Sequence, residues 1–212
     1  MGFTRNYKNL LMTYMCNPYN YTNADFSAID TTKFDDTTFK TLKDTTGTIR
    51  RWAYGGSYGF TTGNSYGGGA IGSNQITIGL LAGPSNITSS YSSNSAKRIV
   101  FGTNDAEETE DDYTLSEITT ISFDLLPKLA SNTYENKKQT NNYSCVISNS
   151  SDVTINELGI YIKGYSHENY LNGPGSNKYD YLLYRKKLDT PIELKAGEPQ
   201  LVTFSIEFDY PA

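Results

Sequence analysis

Side chains able to do chemistry are few in this chain. His167 is its single histidine, set in Tyr165-Ser166-His167-Glu168-Asn169. It is the natural base for a Ser/His/Asp relay, but such members are scattered in sequence, and no Gly-x-Ser-x-Gly elbow accompanies it. A lone histidine in a loop context reads as a surface residue. Zinc asks for two or more His or Cys at short spacing, and Cys16 and Cys145 stand far apart. They read as two small hydrophobes in a reducing compartment, or as one bridge. The run TNDAEETEDD, residues 103–112, offers Asp105, Glu107, Asp111 and Asp112 to calcium. It lacks the glycine and terminal glutamate of an EF-hand loop, so a solvated acidic loop is the plainer expectation. Paired carboxylates for glycoside hydrolysis could be drawn from any of the 23 acids, and nothing selects a pair. We expect no catalytic residue, no metal and no cofactor, and a chain that is not an enzyme.

Charge narrows the partners. A net charge of -5 argues against nucleic acid, because phosphate binding needs a basic face. The basic pairs and triplets, Arg50-Arg51 and Arg185-Lys186-Lys187, read as solvated strand edges, the latter guarding an edge from unwanted pairing. No apolar run reaches the length of a membrane span, so no membrane partner is expected. Residues 1–20 lack an apolar h-region and a cleavage site, which predicts a chain made and folded in a cytoplasm.

The elements that must carry these residues are strands. With 18 Tyr and abundant Thr, Asn, Ser and Gly, the chain is rich in strand formers and turn formers. The last stretch shows it best. Val202, Phe204, Ile206, Phe208 and Tyr210 alternate with Thr203, Ser205, Glu207 and Asp209, the period of a strand with one buried and one wet face. A Thr190-Pro191 corner and an Ala196-Gly197-Glu198-Pro199 turn precede it. Upstream, Ile121/Phe123/Leu125, Tyr143/Cys145/Ile147, Leu158/Ile160/Ile162 and Tyr179/Tyr181/Leu183 alternate in the same way. Further strands are expected at 37–43, 47–54, 75–81 and 97–103. This pattern predicts an all-β fold, an antiparallel β-sandwich of jelly-roll-like type.

Two segments depart from it. Tyr7, Leu10, Leu11, Tyr14 and Met15 recur at helical spacing between Thr4, a capping residue, and the Asn17-Pro18 stop. A short N-terminal helix over 4–16 is expected. It either packs on its own domain or docks on a neighbour. Residues 54–72, YGGSYGFTTGNSYGGGAIG, interleave Gly and Tyr. They have no Gly-Lys-Ser/Thr ending to hold a phosphate. They read as a long loop, or as a contact loop in which Tyr54, Tyr58, Phe60 and Tyr66 present flat amphipathic rings. The division expected is residues 1–20 as a helical docking arm and 21–212 as one β-sandwich domain with the 54–72 insertion.

Three stretches in the second half carry a family likeness. They are KRIVFGTNDAEETEDDY (97–113), TNNYSCVISNSSDVTINELGIYIKG (140–164) and LLYRKKLDTPIELKAGEPQLVTFSIEF (182–208). In this order they resemble small virion proteins of tailed bacteriophages, the head-fibre, decoration and tail-accessory structural proteins. The likeness covers about residues 97–210, and its motifs are structural rather than catalytic. It implies a non-enzymatic virion component, located in the particle. Its partners would be itself, as a homo-oligomer, and capsid, portal, neck or tail proteins. The contacts expected from the residues are Tyr7, Leu10, Leu11, Tyr14, Tyr54, Tyr58, Phe60 and Tyr66. The alternative is an adhesion module for host-surface glycans, with Trp52, Tyr54, Tyr58 and Tyr66 as stacking platforms.

Overall fold

A computed structural model describes residues 2–9, 41–51, 87–88, 97–136, 138–165 and 178–209. The described chain is all-β apart from one short helix, α1 (residues 5–9). Its strands are β1 (Thr41–Lys43), β2 (Ile49–Arg51), β3 (Ile87–Thr88), β4 (Lys97–Gly102), β5 (Ser122–Glu135), β6 (Lys138–Ser148), β7 (Val153–Tyr165), β8 (Lys178–Leu194) and β9 (Gln200–Asp209). They form a β1-β2 hairpin, a four-stranded sheet in the order β3-β4-β7-β8 and a three-stranded sheet in the order β5-β6-β9. All pairings are antiparallel except the short β3-β4 pair.

The alternation read from the sequence sets which side chains go inside. Tyr143, Cys145 and Ile147 of β6 and Val202, Phe204 and Ile206 of β9 are buried in register, and Tyr143 stacks on Phe204 at 5.2 Å between ring centroids. Ile99 and Phe101 of β4, Leu158, Ile160 and Ile162 of β7, and Tyr181 and Leu183 of β8 belong to the same apolar core. Both larger sheets therefore contribute to one core. Burying each such side chain contributes about 1.5–3 kcal/mol. Burial pushes the Cys145 thiol up to about 12, and Cys145 is a free, buried cysteine, while Cys16 lies outside the described residues.

The four-stranded sheet buries its other face too. Val100, Leu115, Tyr161 and Leu182 form a second, smaller cluster there. Residues 103–118 lie over it: Ile118 N donates to Phe101 O at 2.8 Å, Thr103 N to Ser116 O at 3.0 Å, and Leu115 N to the Tyr161 hydroxyl at 2.8 Å. This is why Leu158 to Ile162 and Tyr181 to Tyr184 are buried without interruption, where a wet face had been expected.

Irregular places follow from particular residues. At the Thr190-Pro191 corner the β7-β8 register jumps from Glu157↔Lys187 to Ile155↔Ile192, so residues 188–191 stand opposite Asn156 alone, and Pro191 has no N–H to give a ladder. The turn at Gly197 takes φ +74°, and its N–H donates to Asn149 O at 2.7 Å. Leu125 departs from expectation. The register shifts on either side of it break the Ile121/Phe123/Leu125 alternation, and Leu125 is 55% exposed.

Candidate functional site

The densest polar cluster lies where β4, β7, β8 and the acidic segment meet. Glu157 and Arg185 stand inside apolar strands and are both buried. On β8 Arg185 pairs with Gly159, so its side chain shares a face with Tyr161 and Glu157, over the smaller cluster. Arg185 Nε donates to Glu157 Oε2 at 2.7 Å, Nη1 to Asp112 Oδ2 at 2.7 Å and to Glu107 O at 3.2 Å, and Nη2 to Ala106 O at 2.9 Å. Glu157 Oε1 accepts from Ser116 N at 2.9 Å and Asn104 N at 3.3 Å. A buried pair is tolerable when its remaining donors and acceptors are satisfied in this way. Burial draws the Arg185 pKa down, yet the bonds from Asp112 and Glu157 outweigh it and leave the group above its ordinary value.

Gly102 is opposite Glu157 in the β4-β7 ladder. A Cβ there would run into the Glu157 carboxylate, with Cγ at 2.8 Å. A glycine at this place admits the buried acid beside β4.

Around the pair the acidic segment is tied to cations of the same chain. Arg5 holds Glu110 at 2.9 Å and Asp111 at 2.5 Å, Lys8 holds Glu110, and Lys187 holds Glu107 at 2.6 Å. The Lys187 N–H also donates to Glu108 at 3.0 Å. Three of the four acids considered for calcium, Glu107, Asp111 and Asp112, thus have protein cations as partners. Among the described residues no group of three or more His, Cys, Asp or Glu is placed to hold a metal. The expectation that Arg185 guards a solvated edge is corrected: it is the buried centre of the cluster, because Glu157 and the carbonyls of Ala106 and Glu107 solvate it in place of water. Residues 103–112 are largely exposed, as expected of a solvated acidic loop, and are at the same time a strap fastened to β8.

Of the expected contact residues, Tyr7 is placed in the chain's own core, 4.3 Å from Phe3 between ring centroids. Leu10, Leu11, Tyr14, Tyr54, Tyr58, Phe60 and Tyr66 lie outside the described residues, as do Trp52 and His167. The sequence held a signal for the missed pair. Glu157 follows Ile155 in an apolar strand and Arg185 ends the run Tyr181-Leu182-Leu183-Tyr184, and opposite charges in two such strands imply a buried pair.

No family model, curated protein or solved structure matches the chain. Chemically, the cluster commits its acids and bases to one another, which suits fastening a segment more than turning over a substrate. Among the described residues no helix is long and apolar enough to cross a membrane.

Proposed function

We propose that this chain is a non-enzymatic structural component of a tailed-bacteriophage virion, an antiparallel β-sandwich acting through contacts with its own copies and with other virion proteins. One observation carries the reading. The three stretches that bear the likeness meet in space, and their polar residues, Asp112, Glu157 and Arg185, are used to lock the strap to the sheet. Motifs of that kind maintain a fold, as a particle component requires. The core shared by the two larger sheets supports the sandwich.

An exposed apolar row supports the reading. Across the outer face of the three-stranded sheet, Leu125, Val146 and Leu201 stand side by side in register. Leu125 and Leu201 are 55% and 66% exposed, and Leu126 and Tyr134 of β5 are exposed as well. Apolar side chains grouped on an exposed face mark interaction sites. The test is co-sedimentation: an epitope-tagged chain, expressed during infection of the host, is followed through a density gradient of purified particles. A virion component bands with the particles and survives a salt wash. A chain found wholly in the soluble fraction is something else.

A further inference from the structure

We propose that the N-terminal arm, residues 2–9, is exchangeable: its seat on β8 also accepts the arm of a second copy of this chain, so that copies are joined through swapped arms.

The seat is the outer edge of β8, the last strand of its sheet. Thr4 N donates to Leu183 O at 3.0 Å and Arg185 N to Gly2 O at 2.8 Å, with Phe3 paired antiparallel to Tyr184. The arm thus adds a short strand to a sheet edge, the way extended peptides dock in trans. The fit is specific to its sequence. Gly2 lies so close to the Tyr184 ring that a Cβ would collide with it. The Thr4 hydroxyl donates to Leu182 O at 2.6 Å. Asn6 Nδ2 donates to Lys43 O at 2.9 Å and Leu182 O at 3.1 Å, and its Oδ1 accepts from Lys43 N at 2.8 Å. Tyr7 is buried beyond them, and Arg5 and Lys8 engage Glu110 and Asp111.

These bonds join the arm to residues 43, 110, 111 and 182–185, all beyond residues 10–40, which tether it to β1. The arm of another copy makes the same bonds. Exchange of an identical element is a low-cost route to association, because the bonds made in the two states are the same. Copies side by side in a particle meet at high local concentration. For that crowding the inference rests on the assembly reading above, but its test uses purified chain alone, so failure here leaves the particle result untouched.

The test is disulfide trapping in the full chain. Lys8→Cys and Glu110→Cys are introduced together in a Cys16→Ser background. Both positions are partly exposed, and the native Cys145 is buried away from oxidant. The protein is equilibrated at about 1 µM, where contact within one chain dominates, and at about 1 mM, where contact between chains competes. It is then oxidised with oxidised glutathione and run on non-reducing denaturing gels. Expected are an intrachain crosslink at the low concentration and interchain dimers or ladders growing to a major fraction at the high one. Intrachain product alone at both concentrations overturns the proposal. Should that variant fail to fold, Arg5→Cys with Asp111→Cys reports the same seat and is read in the same way.

Discussion

Glu157 and Arg185 show how much a single pair decides. Each is a charge in an apolar strand, affordable because the other is there. Removing one partner leaves a buried charge uncompensated, at a cost of about 3–5 kcal/mol. Glu157→Leu and Arg185→Met should each lower the denaturant midpoint strongly, and the double change should recover much of the loss. A double variant as weak as the sum of the singles would show that the two do not act as a pair. Tyr143 makes the opposite case. Its hydroxyl is buried with no hydrogen-bond partner among the described residues, and burial pushes its pKa up to about 12. An unsatisfied buried polar group costs about 1–3 kcal/mol, so Tyr143→Phe should leave stability unchanged or raise it, as urea unfolding would report. At this scale the sequence was legible wherever period two governs, as at Val202, Phe204 and Ile206. It misled at Arg185, where the neighbouring Lys186 and Lys187 made a buried cation look like part of a solvated run.

Among the elements, the β1-β2 hairpin is closed by one side chain. Asp44 Oδ1 accepts from Thr46 N at 2.9 Å and Thr48 N at 3.0 Å, and Oδ2 pairs with Arg50. Burial pulls the Asp44 pKa upward, but the bonds from Thr46, Arg50 and Thr48 pull harder and leave it below 3.8. The folded state therefore favours the carboxylate. That stability is complete above the ordinary value and is lost as pH falls through the depressed one. Acid titration should find a loss below about pH 3.8 that Asp44→Asn reduces, the remainder belonging to Glu107, Glu110 and Asp152, whose carboxyls are also held below their ordinary values; an unchanged acid limb in Asp44→Asn would place the effect elsewhere. The N-terminal arm was half legible. Helical spacing placed Tyr7 on an apolar stripe without deciding between the chain's own core and a neighbour, and the pairing of Gly2 to Thr4 with β8 depends on a strand some 180 residues away, which no local pattern announces. Tyr7→Ala should cost about 3–5 kcal/mol, so deleting the arm tests folding before it tests assembly. The fastening of the strap was hidden for a similar reason: a carboxylate run reads as solvated, which most of it is, while the cations that hold it lie far away in sequence.

At the scale of the molecule, all-β antiparallel structure was readable from alternation and turn residues, since both are local. The burial of both faces of β7 and β8 was not, because it depends on residues 103–118 folding back over them. The exposed row of Leu125, Val146 and Leu201 was also out of reach, since it arises where bulges in β5 interrupt the alternation. If that face makes contacts between virion proteins, Leu125→Asp with Leu201→Asp should leave the melting temperature nearly unchanged, exposed substitutions being worth within about 0.5 kcal/mol. The same variant should be depleted from particles. Normal incorporation would clear this face of a role. The most direct measurement is the number of copies of this chain per purified particle, by quantitative mass spectrometry against the major capsid subunit. A structural component must be present in a fixed ratio that repeats between preparations and matches a symmetric site. Absence from particles, or a ratio that drifts with washing, would contradict a structural place in the virion and turn attention to a free glycan-binding module.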